Sequence, residues 1–120
     1  MQSSRTVDVV VVGGGGGGLA AAVSAAEHGA RVCLLERRPD LGGSTALSVG
    51  SFTAAGTRQQ RRRGVADRPE DHAADMLLFN PPGTPDLAPE MRLLLARESA
   101  ASLAWLESLG VPFSGPYLEP

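Results

Sequence analysis

The segment Val7–Arg37 reads VDVVVVGGGGGGLAAAVSAAEHGARVCLLER, with six consecutive glycines from Gly13 to Gly18. A glycine run in isolation suggests a flexible linker. Its flanks argue otherwise. Val7 to Val12 is an almost unbroken β-branched run, the composition of a strand buried on both faces of a parallel sheet. Leu19 to Gly29 follows as LAAAVSAAEHG, rich in strong helix formers and ending on a glycine suited to a helix C-terminus. Ala30 to Glu36, ARVCLLE, is a second short apolar run that ends in an acid. Strand, glycine turn, helix and strand make a βαβ unit over 7–36.

In that setting Gly13, Gly15 and Gly18 fit G-x-G-x-x-G where the motif has mechanical meaning. The first glycine permits a tight turn. The second lets backbone approach a pyrophosphate, and the third lets helix and strand pack closely. Free N–H groups and the helix dipole then meet the phosphates. Gly14, Gly16 and Gly17 fall in spacer positions and are expected to contribute nothing specific. Glu36 ends the second strand at about the spacing, roughly 20 residues on, where an acid accepts from ribose hydroxyls. Arg37 and Arg38 follow it. A 2′-phosphate partner is disfavoured beside that carboxylate, and Arg37 joins Glu36 in the expected cofactor-facing set. These residues predict a dinucleotide without separating FAD from NAD(P).

The bulk composition excludes other classes. The 120 residues are 42% hydrophobic and 20% charged, with a net charge of −2, enough for one modest domain and without the basic excess of a nucleic-acid or anionic-membrane binder. Every basic residue is arginine, and lysine and isoleucine are absent, which reads as coding bias. The single cysteine, Cys33, excludes an intrachain disulfide and a multi-cysteine zinc site, and is read as a buried, inert thiol. No apolar stretch reaches the roughly 18 residues needed to span a bilayer. The start lacks a signal peptide's three regions, so a cytoplasmic location is the expectation.

A second glycine loop follows: Glu36 to Thr57 reads ERRPDLGGSTALSVGSFTAAGT. Here the chain resembles the flavoprotein family of fumarate reductases, succinate dehydrogenases, L-aspartate oxidases and 3-ketosteroid dehydrogenases. The matching residues are Glu36, Gly42, Gly43, Ser44, Thr45, Gly50 and Ser51. The resemblance implies FAD, held by a backbone-rich loop (37–57) passing under the pyrophosphate and along the flavin. Glycine N–H groups and the Ser44 and Thr45 hydroxyls suit that task. An NAD-only unit does not require this loop. Some family members carry, about where Ser44 stands, a histidine bonded covalently to flavin. Serine cannot form that bond, so the FAD is expected to be noncovalent. Ser51 departs from the glycine of many members.

Beyond the loop, Arg58 and Arg61 to Arg63 read as a solvated face. Pro69, Glu70 and Asp71 suit a helix start, with a helix running to about Phe79. A second helix is expected from about Pro89 to Leu109, with Met91, Leu94, Leu95, Leu103, Leu106 and Leu109 at helical spacing. The helical segment thus covers 67–110. His28 is expected to cap the first helix, His72 to lie on the surface, and Trp105 to make a core or interdomain contact. Only the short Val111–Phe113 stretch offers a further strand.

The sequence-based fold is therefore α/β: the N-terminal βαβ part of a Rossmann-like FAD-binding domain, followed by helices and incomplete. Family members run several times longer, with their catalytic groups beyond this stretch. The resemblance implies an FAD-dependent oxidoreductase acting on a C–C bond adjacent to a carbonyl or carboxylate, with this chain alone inactive. A small-molecule substrate is expected, no nucleic-acid or membrane partner, and the electron partner is unassigned. The alternatives are a non-catalytic nucleotide-binding remnant and an NAD(P)-binding Rossmann protein. The expected cofactor-facing residues are Gly13, Gly15, Gly18, Glu36, Arg37, Gly42, Gly43, Ser44, Thr45 and Gly50. No catalytic or metal-binding residue is assigned.

Overall fold

A computed structural model describes residues 6–86 and 88–114. The chain divides into two compact units, Met1–Ser51 and Phe52–Pro120. In the first, strand β1 (Val9–Val12) leads through the glycine turn to helix α1 (Gly16–Glu27), then to strand β2 (Val32–Leu35). The strands pair in parallel, with Val9 opposite Val32 and Val12 opposite Leu35. At their start the Asp8 carboxylate takes Arg31 Nη2–H at 2.8 Å and Nε–H at 2.9 Å, and also the Arg31 backbone N–H at 2.9 Å. This two-pronged contact holds the Asp8 carboxyl at about 2. At the far end the Gly13 N–H donates to Leu35 O at 2.8 Å, extending the ladder into the turn.

Helix α1 begins at Gly16, three residues before the expected Leu19, so half of the glycine run forms its first turn. Its last turn closes as expected. His28 is the C-terminal cap and its Nδ1 lies 2.7 Å from Ser24 O. Gly29, at φ 83°, then turns the chain out of the helix. The expectation that β1 is buried on both faces is not met. Val9 and Val11 are half-buried, whereas Val10 and Val12 are 54% and 82% exposed. A two-stranded sheet with one helix has material for only one covered face. Cys33 is correspondingly half-buried and free.

The second unit is helical. Helix α2 (Arg58–Arg62) was not foreseen among the arginines. Thr57 starts it with a capping box: Thr57 Oγ1 accepts the Gln60 N–H at 3.1 Å, while Gln60 Oε1 accepts the Thr57 N–H at 2.8 Å. Helix α3 (Pro69–Asp75) opens on Pro69 with Glu70 and Asp71 in its first turn, and a 3₁₀ turn continues from Met76 to Phe79. Helix α4 (Pro89–Ser108) packs on α3. Arg92 joins them, donating from Nη1 to Ala73 O and from Nη2 to the Asp86 carboxylate. Its buried row is Ala96, Ser99 and Leu103, with Ala73 on α3. Most of the large apolar residues noted at helical spacing lie outside this row: Met91, Leu94, Leu95 and Leu109 are exposed. Small residues at the contact let the segments approach closely, and that displaces the bulky ones. Val111–Phe113 is not a strand, and the two-stranded sheet is the only sheet among the described residues. Phe113 instead meets Phe52 edge-on at 6.0 Å.

Candidate functional site

The expected cofactor-facing residues lie in the first unit, around the entrance to α1. Gly13 takes φ 102°, a conformation that favours glycine, and turns the chain off the end of β1. A Cβ on Gly18 would lie 1.9 Å from Gly13 O, so only glycine lets α1 close onto the turn. Gly15 is different. It is the N-terminal cap of α1 at φ −75° and ψ 179°, extended backbone open to any residue. A Cβ there would meet nothing nearer than Gly42 O at 4.0 Å. No protein atom requires glycine at this position, and the space beside it lies at the helix start, where amides lack intrahelical acceptors. A ligand that needs close backbone approach fits that gap.

The second glycine loop docks on the first through main chain. Gly42 N–H donates to Gly14 O at 2.7 Å, and Gly15 and Gly42 form a parallel bridge. Gly42 and Gly43 both have positive φ, at 112° and 52°. A Cβ on Gly43 would come within 3.3 Å of Gly15 Cα. Thr45, in the 3₁₀ turn Gly43–Leu47, accepts the Gly16 N–H on Oγ1 at 3.3 Å. That bond supplies to α1 the side-chain cap its own Gly15 cannot.

Glu36 reaches back to the same place. Its carboxylate accepts the Arg38 N–H at 2.9 Å and the Gly14 N–H at 2.6 Å. These two amides, Arg38 first, hold its carboxyl below the usual range, so it is an anion at neutral pH. Gly14 and Gly16 are therefore not the silent spacers expected. Gly14 bridges Glu36 to the second loop, and Gly16 meets Thr45. Gly17 matches the spacer reading, since a Cβ there would meet nothing within 4 Å.

The rest of the expected set is more dispersed. Arg37 and Ser44 are exposed, and Gly50, at φ 78°, donates its N–H to Ser48 Oγ at 3.0 Å. His72 is half-buried, with Nδ1 unpartnered among the described residues. Among those residues no cluster of His, Cys, Asp and Glu could hold a metal, and no helix is long and apolar enough to cross a membrane. The arrangement combines an open helix start, backbone donors from two loops and a fixed carboxylate. It can bind a polyanion joined to a polyhydroxylated group.

Comparison with known proteins agrees with this chemistry. Residues 8–117 match the family described as FAD binding domain. The chain is 39% identical over 105 residues to a fumarate reductase (cytochrome) of Shewanella frigidimarina, covering 88% of this chain and 18% of that protein. Its structure is similar to the open conformation of a flavocytochrome c3 fumarate reductase, with TM-score 0.77 and 37% identity over 91% of this chain and 19% of that one. It is also similar to a 3-ketosteroid-Δ4-(5α)-dehydrogenase from Rhodococcus jostii RHA1 in complex with 4-androstene-3,17-dione. There the TM-score is 0.74 and the identity 37%, over 95% of this chain and 24% of that one. The chain thus spans about a fifth of the length of the relatives it matches.

Proposed function

The chain belongs to the FAD binding domain family, and from that premise we propose that it forms the FAD-holding βαβ segment, Rossmann-like in plan, of a flavin-dependent oxidoreductase. The observation that carries this reading is the unfilled space at Gly15, where neither the backbone nor a neighbouring protein atom calls for glycine. The pyrophosphate lies against Gly13, Gly15 and Gly18, with the second loop (Gly42, Gly43, Ser44 and Thr45) closing over it and Gly50 further along. Glu36, anionic and aimed by two amides, accepts from the adenosine ribose hydroxyls, with Arg37 beside it. Ser44 leaves the FAD noncovalent.

Bound FAD supplies hydride exchange at its flavin ring. The names of the similar proteins, a fumarate reductase and a 3-ketosteroid dehydrogenase, support a reaction at a C–C bond next to a carboxylate or carbonyl. This chain's own residues bind and orient the cofactor, and no proton donor is assigned among them.

The test is made on the intact protein. It should purify yellow, and acid precipitation should leave all its flavin in the supernatant. Flavin retained in the pellet would refute the noncovalent link, and a colourless protein that binds only a nicotinamide dinucleotide would refute the cofactor. Chemically reduced protein should be reoxidised without oxygen by an α,β-unsaturated acid or ketone. A panel of both that leaves the flavin reduced would refute the reaction class.

A further inference from the structure

Gly14 stands in a spacer position of the glycine run, yet both of its backbone polar groups are committed. Its N–H donates to Glu36 Oε2 at 2.6 Å, and its carbonyl accepts the Gly42 N–H at 2.7 Å. Its neighbours are held as well. The Gly13 N–H donates to Leu35 O at 2.8 Å, and Gly15 forms a parallel bridge with Gly42. Gly14 is thus fixed between the end of β2 and the second loop, and it cannot drift away from Glu36.

Backbone conformation does not call for glycine here, since Gly14 has no positive φ. What the residue provides is room. A Cβ on Gly14 would lie 2.6 Å from Leu41 Cδ2, and 3.3 Å from both Glu36 Cβ and Glu36 Oε2. Leu41 is 54% exposed, so its methyl group can swing into solvent. The Glu36 carboxylate cannot yield without losing its aim, because Oε1 is tied to the Arg38 N–H at 2.9 Å and Oε2 to Gly14. A carboxylate oxygen has two lone pairs, so each of these oxygens keeps one acceptor site beside its amide. Two such sites on one carboxylate match the two neighbouring hydroxyls of a ribose.

Resting on the FAD reading above, we infer that Gly14 is a positioning residue that sets the ribose specificity of the site: its N–H aims Glu36 at the adenosine hydroxyls, and its missing side chain leaves the carboxylate room to stay there. It acts through Glu36. Its substitution should therefore change which sugar is preferred, and not only how stable the protein is.

The experiment uses the intact, deflavinated protein, titrated with FAD and with the FAD analogue that carries 2′-deoxyadenosine. Wild type should prefer FAD by about tenfold, the low end of what a hydrogen bond to a charged group is worth. Gly14→Ala should abolish that preference, by weakening FAD while leaving the deoxy analogue almost unchanged. A purely structural role would weaken both alike, so a wild-type preference in Gly14→Ala would overturn the inference. Leu41→Ala separates the two neighbours of the added Cβ. Alone it should keep the preference, and loss of the preference there would overturn the inference. Combined with Gly14→Ala it removes the worst overlap and leaves the pressure on Glu36, so the double variant should lose the preference. The double variant also decides the matter if Gly14→Ala alone is insoluble, and a wild-type preference in it would overturn the inference. Wild-type protein that binds FAD and the analogue equally would refute the ribose role of Glu36, and wild-type protein that takes no FAD would refute the cofactor; the inference falls with either.

Discussion

Replacing Gly18 and Gly15 separately should break the protein in two different ways. A Cβ at Gly18 would lie 1.9 Å from Gly13 O, well over 1 Å inside the 3.4 Å at which ordinary contact begins. The obstacle cannot swing aside, because it is backbone, and the Gly13 N–H is bonded to Leu35 O at 2.8 Å. Helix α1 must lift from the sheet, where Val11 Cγ1 would also lie only 3.5 Å from the added Cβ. Overpacking of this kind costs about 1–3 kcal/mol, and unyielding backbone places Gly18→Ala near the upper end. Better helix propensity in the first turn offsets up to about 1 kcal/mol. A net loss of about 2 kcal/mol should lower the FAD-free melting temperature by several degrees, at roughly 2–4 °C per kcal/mol for a mid-sized domain. Gly15→Val meets no such obstacle. Its nearest neighbour is Gly42 O at 4.0 Å and its backbone is extended, so the FAD-free protein should lose no more than about 1 kcal/mol, through a poorer helix cap. It should nevertheless lose FAD almost entirely, because the side chain fills the cofactor's space. The assay is calorimetry of the FAD-free protein, paired with FAD titration of each variant. Wild-type stability in Gly18→Ala would refute the packing argument. FAD affinity within threefold of wild type in Gly15→Val would refute the cradle.

Gly17→Ala should leave FAD affinity unchanged and raise stability by up to about 1 kcal/mol, since its Cβ meets nothing within 4 Å and alanine favours the helix. A fall in the melting temperature would contradict this. The Asp8–Arg31 contact should appear as an acid-sensitive part of stability. Folding lowers the Asp8 pKa to about 2 from an ordinary 3.8, so its contribution is complete above pH 4 and fades as pH falls towards 2. Urea midpoints of wild type and Asp8→Asn should therefore differ by a constant amount above pH 5 and converge below pH 4. A difference that does not vary with pH would count against it.

The local chemistry of the first unit was legible in the sequence. Consecutive valines favour a strand, alanines favour a helix, and a glycine-only turn between them leaves few alternatives, because each preference acts within a few residues. Glu36 could be placed at the end of β2 for the same reason. Its fixed orientation could not, since that depends on the Gly14 and Arg38 amides arriving from both sides. The T-x-x-Q signal of Thr57 and Gln60 was present in the sequence and would have found α2. Other features had no local signal. Nothing in the spacer glycines indicates that Gly14 would accept from Gly42 and join the two loops, because backbone hydrogen bonds between distant segments carry no side-chain signature. The leucines of α4 have helical spacing, yet its packed row is Ala96, Ser99 and Leu103. Periodicity marks where a helix is apolar, whereas the closeness of the neighbouring backbone decides which residues fit against it. Strand, turn, helix and strand, and the type of ligand the turn admits, follow from preferences that act between chain neighbours. How the second loop locks onto the first and which serine, Ser99, holds the Ala55 N–H do not, because both depend on groups brought together from tens of residues apart.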